Sequence, residues 1–391
     1  MIFTKIIRGF ISAKQVLTPV GWLENAMITI KNGKIIKIEQ TNKVCSDNIK
    51  VLPALIDTHI HGVMGADTMD ATHEALNTMS SFLARHGIGA FLATTVTESH
   101  EKIEAALVQV KHSIKQGVAG ATLLGSYLEG PFFNAVHKGA HPETLLHAPD
   151  RNLIEKWLDL AEGTLKCIAL APEYPNALEI IEWLRSINIR VMIGHTNADY
   201  QTTKAALLAG ASGVVHCYNG MSGLHHRNPG VVGAALTIDN CQTEIIIDGH
   251  HVHPAAVNIA HKCCGKNLLL ISDAMRATGM SDGDYQLGKL KVHVQDHVVR
   301  TEDGGLAGST LTINRAVTNL ADYANISFEQ AWLHGSSYPA KALGIDHYLG
   351  DIAVGKQANL VLLNANNQLM TTIVNGNIVY QTSADLTDIL I

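Results

Sequence analysis

Eight apolar, β-branched segments recur through the middle of this chain, and nearly all of them run into His, Thr, Glu or Asp at their last one or two positions. They cover 54–61, 89–95, 122–129, 165–171, 190–195, 213–216, 243–248 and 268–273. The stretches between them, for instance 71–86, 101–116, 175–187 and 202–209, have the length and apolar spacing of helices. Such alternation builds parallel strands joined by helices. Polar residues at the strand C-termini mark the functional rim of a (β/α)8 barrel. A doubly wound open sheet puts its chemistry at the same strand ends, and the count of eight favours the barrel.

The two ends of the chain read differently. Residues 4–7, 26–31 and 34–39 are short strand-like pieces, the last two joined by Asn32-Gly33; 360–363 and 371–380, with Asn375-Gly376, repeat the pattern. Asn-Gly between alternating apolar residues is a strong hairpin signal, so both ends are expected to meet in one small β-sandwich. The expected fold class is therefore α/β: a (β/α)8 TIM-like barrel over 53–347, with a small β-sandwich domain built from 1–52 plus 348–391. A length of 391 residues accommodates a barrel of about 250 residues and a smaller module.

Composition narrows the function. A formal charge of -6 and the lack of any basic run give no field for a phosphate backbone, so nucleic acid is not an expected partner. The N-terminal MIFTKIIRGFISAKQVL has no long apolar core of a signal peptide, and no apolar run is long enough to span a bilayer. No membrane association and a cytoplasmic location are the expectation. The six cysteines, Cys45, Cys167, Cys217, Cys241, Cys263 and Cys264, lack CxxC spacing and read as buried thiols. The 21 histidines, several at strand ends, point instead to a metal site.

His59 and His61 in ALIDTHIHG are two residues apart, so on an extended strand both face the same way, about 6–7 Å apart along the chain. Alone, the pair reads equally well as barrel-interior histidines bonded to neighbours. Four more residues change that balance: Glu129 in SYLEGP, His195 in VMIGHT, His216 in GVVHCYN and Asp273 in LLLISDA each end a strand segment. The six together are an oxygen and nitrogen set suited to one or two divalent ions, zinc or iron above all. For two ions, Glu129 is the expected bridge, with His59, His61 and Asp273 on one side and His195 and His216 on the other. Lys166 starts the fourth segment rather than ending it, so no lysine is placed to become a carboxylated bridge. The chemistry such a site offers is metal-assisted hydrolysis, with Asp273 as candidate general base and then acid; a pure ligand role for Asp273 is equally open.

The ordered motifs resemble the N-acetylglucosamine-6-phosphate deacetylases of the amidohydrolase superfamily. They are DTHIHG at 57–62, LEGPF at 128–132, GHT at 194–196, HCYNGM at 216–221, HHRNPGVVGAAL at 225–236, DGHHVHP at 248–254, SDAMRATGM at 272–280 and LAGST at 306–310. The resemblance spans nearly the whole chain and implies deacetylation of N-acetylglucosamine 6-phosphate with Asp273 as acid/base. It implies metal ligation by Glu129, His195 and His216, with a second ion expected where the HxH pair is intact. For the substrate it implies Ala140, Asn219, Gly220, Arg227, His251, Leu306, Ala307 and Gly308, and a homodimer in which Arg227 reaches the neighbouring active site. Arg227 and His251, with the backbone amides at Asn219-Gly220, suit a phosphate through charge-assisted hydrogen bonds.

Two positions depart from the family pattern, Ala54 after Pro53 where Gly is common, and Gly220 where many members have Ala. They leave the N-acetylgalactosamine 6-phosphate epimer as an alternative substrate. A cyclic-amide hydrolase is disfavoured by the missing lysine. A catalytically silent barrel scaffold would show lost ligands, and all six are present.

Overall fold

The computed structural model describes residues 5–7, 9–41 and 48–382; Thr4 of the first predicted strand and Cys45 lie outside them. Eight strands follow one another in parallel and in chain order: β1 (Leu55–Ile60), β2 (Ile88–Thr94), β3 (Thr122–Glu129), β4 (Leu165–Leu170), β5 (Arg190–Ile193), β6 (Gly213–Val214), β7 (Gln242–Ile245) and β8 (Leu268–Leu270). Each is followed by a helix, in order α1 (His73–Ala84), α2 (His100–Gln116), α3 (Arg151–Ala161), α4 (Ala177–Ser186), α5 (Tyr200–Ala209), α6 (Gly230–Thr237), α7 (Pro254–Cys264) and α8 (Ile313–Ala324). Local chemistry fixes several starts: Thr72, Asp150 and Asp199 accept from first-turn amides of α1, α3 and α5, satisfying donors that the helix itself cannot.

Several strands are shorter than predicted, because the ladder stops before the polar residue at the segment's end. The seam between β8 and β1 is the point that strand counting left open, and a few specific bonds close it. At the C-terminal end Asp273 N donates to His59 O (3.0 Å) and His61 N to Ala274 O (2.9 Å). At the opposite end the turn before Ser336 fills the gap, with Ile56 N donating to Gly335 O (2.8 Å) and Leu270 N to His334 O (3.1 Å). A side chain at Gly335 would stand 2.9 Å from Ile313 and 3.1 Å from Leu55, so this plug admits only glycine without displacement. Between the two ends, buried Asp57 spans the seam, its Oδ1 accepting from His59 N (3.3 Å) and Ser272 N (3.4 Å).

The chain ends form one eight-stranded sheet, in the order Lys5–Ile6, Asn377–Gln381, Leu369–Val374, Leu360–Leu363, Lys50–Pro53, Gly9–Thr18, Gly21–Lys31, Lys34–Gln40. All neighbours are antiparallel except Gly9–Thr18 against Lys50–Pro53. The sheet folds over until its two Asn-Gly turns touch: Gly33 and Gly376 both have φ of 73°, and a Cβ on Gly33 would sit 2.7 Å from Asn375 O. Inside lie Ile11, Ile28, Ile35, Val51, Leu360, Leu362 and Ile373. On Leu360–Leu363 the period of two is visible: Leu360 and Leu362 enter this small core, while Val361 and Leu363 enter the barrel's core.

Three features were not read from the sequence. Gly9–Thr18 and Lys50–Pro53 are strands. An antiparallel three-stranded sheet, Gly283–Leu287, Leu290–Gln295 and Val298–Thr301, is inserted between β8 and α8. Cys263 is exposed, unlike Cys167, Cys217, Cys241 and Cys264, because it falls on the outer side of the last turn of α7. Among the described residues no helix is long and apolar enough to cross a membrane.

The seam yields a pH-dependent prediction. Burial pushes Asp57 up to about 7, whereas an exposed aspartate ionises near 4. Between these values the folded chain keeps a proton that the unfolded chain has released. Wild-type stability is therefore expected to fall as pH rises through that window, by up to roughly 1 kcal/mol per pH unit. Asp57→Asn keeps the oxygen acceptor and removes this contribution, so stability of the variant is expected to fall less steeply with pH than that of wild type. Denaturant melts of both chelator-treated proteins at several pH values check this, and parallel pH profiles would refute it.

Candidate metal centre

Six strand-end side chains meet at the barrel mouth. His59 lies within β1 and Glu129 closes β3; His61, His195, His216 and Asp273 follow the ends of β1, β5, β6 and β8 within three residues. At His195, His216 and Asp273 the backbone turns left-handed, with φ of 45°, 28° and 49°. This conformation is unfavourable for a residue with a Cβ and recurs at functional sites. It follows the end of each ladder and turns each side chain into the mouth. All six residues are buried.

Glu129 is the hub. Its Oε1 lies 3.2 Å from His216 Nε2 and 3.5 Å from both His59 Nε2 and His195 Nε2; its Oε2 lies 3.1 Å from His61 Nε2. Asp273 Oδ1 lies 3.1 Å from His61 Nε2 and 3.5 Å from His59 Nε2. His195 Nε2 and His216 Nε2 are 3.1 Å apart. The remaining nitrogens explain this crowding. His195 Nδ1 bonds His137 O (2.9 Å) and His216 Nδ1 bonds Asn219 O (3.0 Å). A carbonyl only accepts, so each Nδ1 carries the hydrogen and each Nε2 presents a lone pair. His59 Nε2 is buried with no hydrogen-bond partner among the described residues.

A cluster of acceptors facing one another requires a cation, either protons or metal. Without metal, protons fill the role. Burial pushes His61 down, but Asp273 and Glu129 outweigh it and hold it up to about 10. Burial and then the charge of Glu129 act on His59 in the same opposed way, with a raised result. Burial raises Asp273, yet its bond to His61 and the charges of His59 and His61 hold it below the usual carboxylate range. The donor set fits a divalent ion: His59, His61 and Glu129 offer ligand atoms within 4.8 Å of one another. Lys166 is exposed, bonded to Gly163 O (2.7 Å), far from any bridging role.

The structure adds His141, which the sequence reading missed because it lies in a loop rather than at a strand end. It groups with Glu129 and His195. Its chemistry differs from theirs. His141 Nδ1 lies 2.8 Å from the Thr97 hydroxyl and 3.4 Å from the Thr97 amide; a hydroxyl can donate and an amide only donates, so Nδ1 serves both as acceptor with the hydrogen on Nε2, 3.8 Å from Glu129 Oε2. Burial, with His195 beside it, holds His141 well below the usual imidazole range. It is a neutral donor aimed at the mouth.

The amidohydrolase family model matches residues 50–379. The chain belongs to the amidohydrolase family. Amidohydrolases are generally metal-dependent, in agreement with the His and Glu groups at this mouth. The N-acetylglucosamine-6-phosphate deacetylase of Vibrio furnissii is 49% identical over 375 residues, 94% of each chain. The N-acetylgalactosamine-6-phosphate deacetylase of Escherichia coli O157:H7 is 43% identical over 368 residues, 94% of this chain and 98% of that one. A mutant Mycobacterium smegmatis N-acetyl-D-glucosamine-6-phosphate deacetylase, solved in complex with N-acetyl-D-glucosamine-6-phosphate, superposes with a TM-score of 0.89 at 30% identity, covering 95% of this chain and 99% of that one.

In this amidohydrolase a cavity of about 360 Å³ opens above the metal centre. Ala140, Asn219, Gly220, His251, Leu306, Ala307 and Gly308, all singled out from the sequence, line it together with His61, Glu129, His141, His195, His216 and Asp273. Leu287 of the inserted sheet also faces it. His251 bonds Asp248 through Nδ1 (2.7 Å). Although burial pushes Asp248 up, His251 and two backbone amides hold it down to about 2. Arg227 is not in this cavity. It is exposed, bonded to His226 (2.8 Å), in a separate groove with Asp199 and Tyr200. A larger cleft of about 480 Å³ between α2 and the small sheet holds no titratable side chain, so convergent polar groups rather than size mark the site.

Because the stripped site holds protons that an ion must displace, zinc uptake is expected to release them. The apparent zinc affinity then rises between about pH 6 and 8. Calorimetric titration of chelator-stripped protein in two buffers of different ionisation enthalpy counts the protons; heats independent of buffer would show that the ion binds elsewhere.

Proposed function

We propose that this chain hydrolyses the acetyl amide of N-acetylglucosamine 6-phosphate, giving glucosamine 6-phosphate and acetate, in cytoplasmic amino-sugar catabolism. The catalytic unit is the barrel of residues 53–347, with 1–52 and 348–391 as the small domain. One observation carries the reading. A single cavity joins a cation-demanding cluster to a neutral donor, a low-lying acid and a wall of small residues and amides. The 49% identical relative spanning 94% of both chains supports the choice of substrate over its galactosamine epimer.

The residues divide the work. Glu129, His195 and His216 would hold one divalent ion, and His59, His61 and Asp273 a second, with Glu129 shared; zinc or iron fits such donors. A bound ion supplies Lewis acidity and brings the ionisation of a water toward neutral pH. Asp273, ionised and buried, takes the proton of the attacking water and returns it to the departing amine, so base and acid are one group. His141 Nε2–H donates to the acetyl carbonyl as negative charge develops there. His251, braced by Asp248, and the amides at Asn219-Gly220 hold the phosphate end. Leu306, Ala307, Gly308 and Ala140 pack the sugar. Arg227, pointing away from its own cavity, reaches the site of the other subunit in a homodimer.

Acetate release with zinc or iron(II) present tests the reaction, and kcat/KM is expected to favour the glucosamine over the galactosamine substrate. No turnover of either with any divalent ion would sink the proposal. His141→Gln is expected to lower kcat by about 10²- to 10³-fold with unchanged metal content; lost metal would instead make His141 a ligand. For the homodimer, Arg227→Ala and Asp273→Asn proteins are each expected to be poorly active, while reassociated mixtures regain turnover because one mixed site is complete. Mixtures no better than their parents would place Arg227 outside the neighbouring site.

A further inference from the structure

Beneath the metal centre, one layer of the barrel interior is polar where branched aliphatic side chains usually fill the space. Its four residues come from alternate strands: His59 on β1, Tyr127 on β3, Arg190 on β5 and Glu244 on β7. All are buried, and Glu244 links the other three. The His59 and Tyr127 rings lie 4.8 Å apart. Tyr127 OH is 3.5 Å from Glu244 Oε2. Arg190 Nη1 donates to Glu244 Oε1 at 3.0 Å, and Arg190 Nε to Gln242 Oε1 at 2.7 Å. Glu244 Oε2 lies 3.6 Å from His59 Nδ1.

Burying a guanidinium and a carboxylate together is costly, and apolar residues of similar volume often serve stability as well or better. The pair therefore asks for a purpose beyond packing. His195 and His216 have backbone carbonyls that place the hydrogen on Nδ1; His59 has none. The acceptor nearest its buried, unbonded Nδ1 is Glu244 Oε2, 3.6 Å away. We propose that Glu244 is a positioning residue for the metal centre: held by Arg190, its carboxylate keeps the His59 hydrogen on Nδ1 and the Nε2 lone pair toward Glu129 and Asp273. Carboxylate, imidazole and ion then stand in the order that raises the affinity of a histidine ligand. The inference rests on the metal-dependent reading above and extends it to one residue outside the ligand set.

Zinc content and zinc affinity of stripped and reloaded protein test it, for wild type, Glu244→Gln and Arg190→Gln. Glutamine at 244 has one oxygen where the carboxylate faces three donors, Arg190, Tyr127 and His59, so the side of Glu244 toward His59 or the side toward Arg190 loses its acceptor. In E244Q the ion at His59 and His61 is expected to bind about 10- to 100-fold more weakly, while the ion at Glu129, His195 and His216 stays. R190Q removes the guanidinium that holds the carboxylate but not the carboxylate itself, so it is expected to weaken the same ion by less than E244Q does. Equal zinc binding in wild type and E244Q overturns the inference, as does an equal loss in R190Q. Wild-type protein that takes up no zinc would overturn the metal-dependent reading instead. Should E244Q yield no folded protein, zinc-loaded wild type with 15N-labelled histidine decides: hydrogen on His59 Nδ1 supports the assignment, and hydrogen on Nε2 overturns it.

Discussion

The bonds that close the barrel at its mouth are made by the backbone of the residues that form the site. Asp273 N to His59 O and His61 N to Ala274 O join the first strand to the last. They also set Asp273 beside the two histidines, within 3.1 to 3.5 Å of their Nε2 atoms. Closing the sheet and assembling the ligands are thus one event. In an open sheet these residues would occupy opposite edges and never meet. The glycine plug at residue 335 and the Asp57 clasp hold the lower part of the same seam, so the geometry at the mouth inherits the rigidity of the floor.

Electrostatics then works downward through the barrel in layers. At the top, lone pairs of His59, His61, His195 and His216 converge on two carboxylates and demand positive charge. One layer below, Arg190 supplies a fixed positive charge, and Glu244 carries its influence to His59. The mouth also separates two kinds of imidazole by what lies behind them. Carbonyls behind His195 and His216 expose lone pairs, while the Thr97 amide behind His141 exposes a hydrogen. Identical side chains thereby acquire opposite polarity within one small cavity.

Much of this was legible in the sequence because two regularities survive in the primary structure. Strand segments are apolar until their last residue or the residues just past it, so His195, His216, Glu129 and Asp273 stood out. The Asn-Gly turns announced the hairpins of the small sheet. What was hidden lacked such a signature. His141 sits in a loop, where a histidine has no positional meaning until the chain is folded. Glu244 is a charged residue inside a strand, and only the barrel's curvature shows that it points inward toward Arg190 and His59. Gly283–Thr301 forms a sheet inserted between the last strand and its helix, a place where the strand-helix alternation gives no reason to look for strands. The seam could not be read at all, since residues 56 and 335 have no pattern in common.

The left-handed backbone at His195, His216 and Asp273 carries a consequence for how such a chain drifts over time. Each position costs about 1 kcal/mol relative to a residue at ease there, and glycine or asparagine would relieve it. A copy of this fold freed from its chemistry would gain stability by those exchanges and would lose nothing in packing that the barrel core supplies. Three side chains held where the main chain disfavours them exchange stability for position, a cost written in torsion angles rather than in the identities of neighbouring residues.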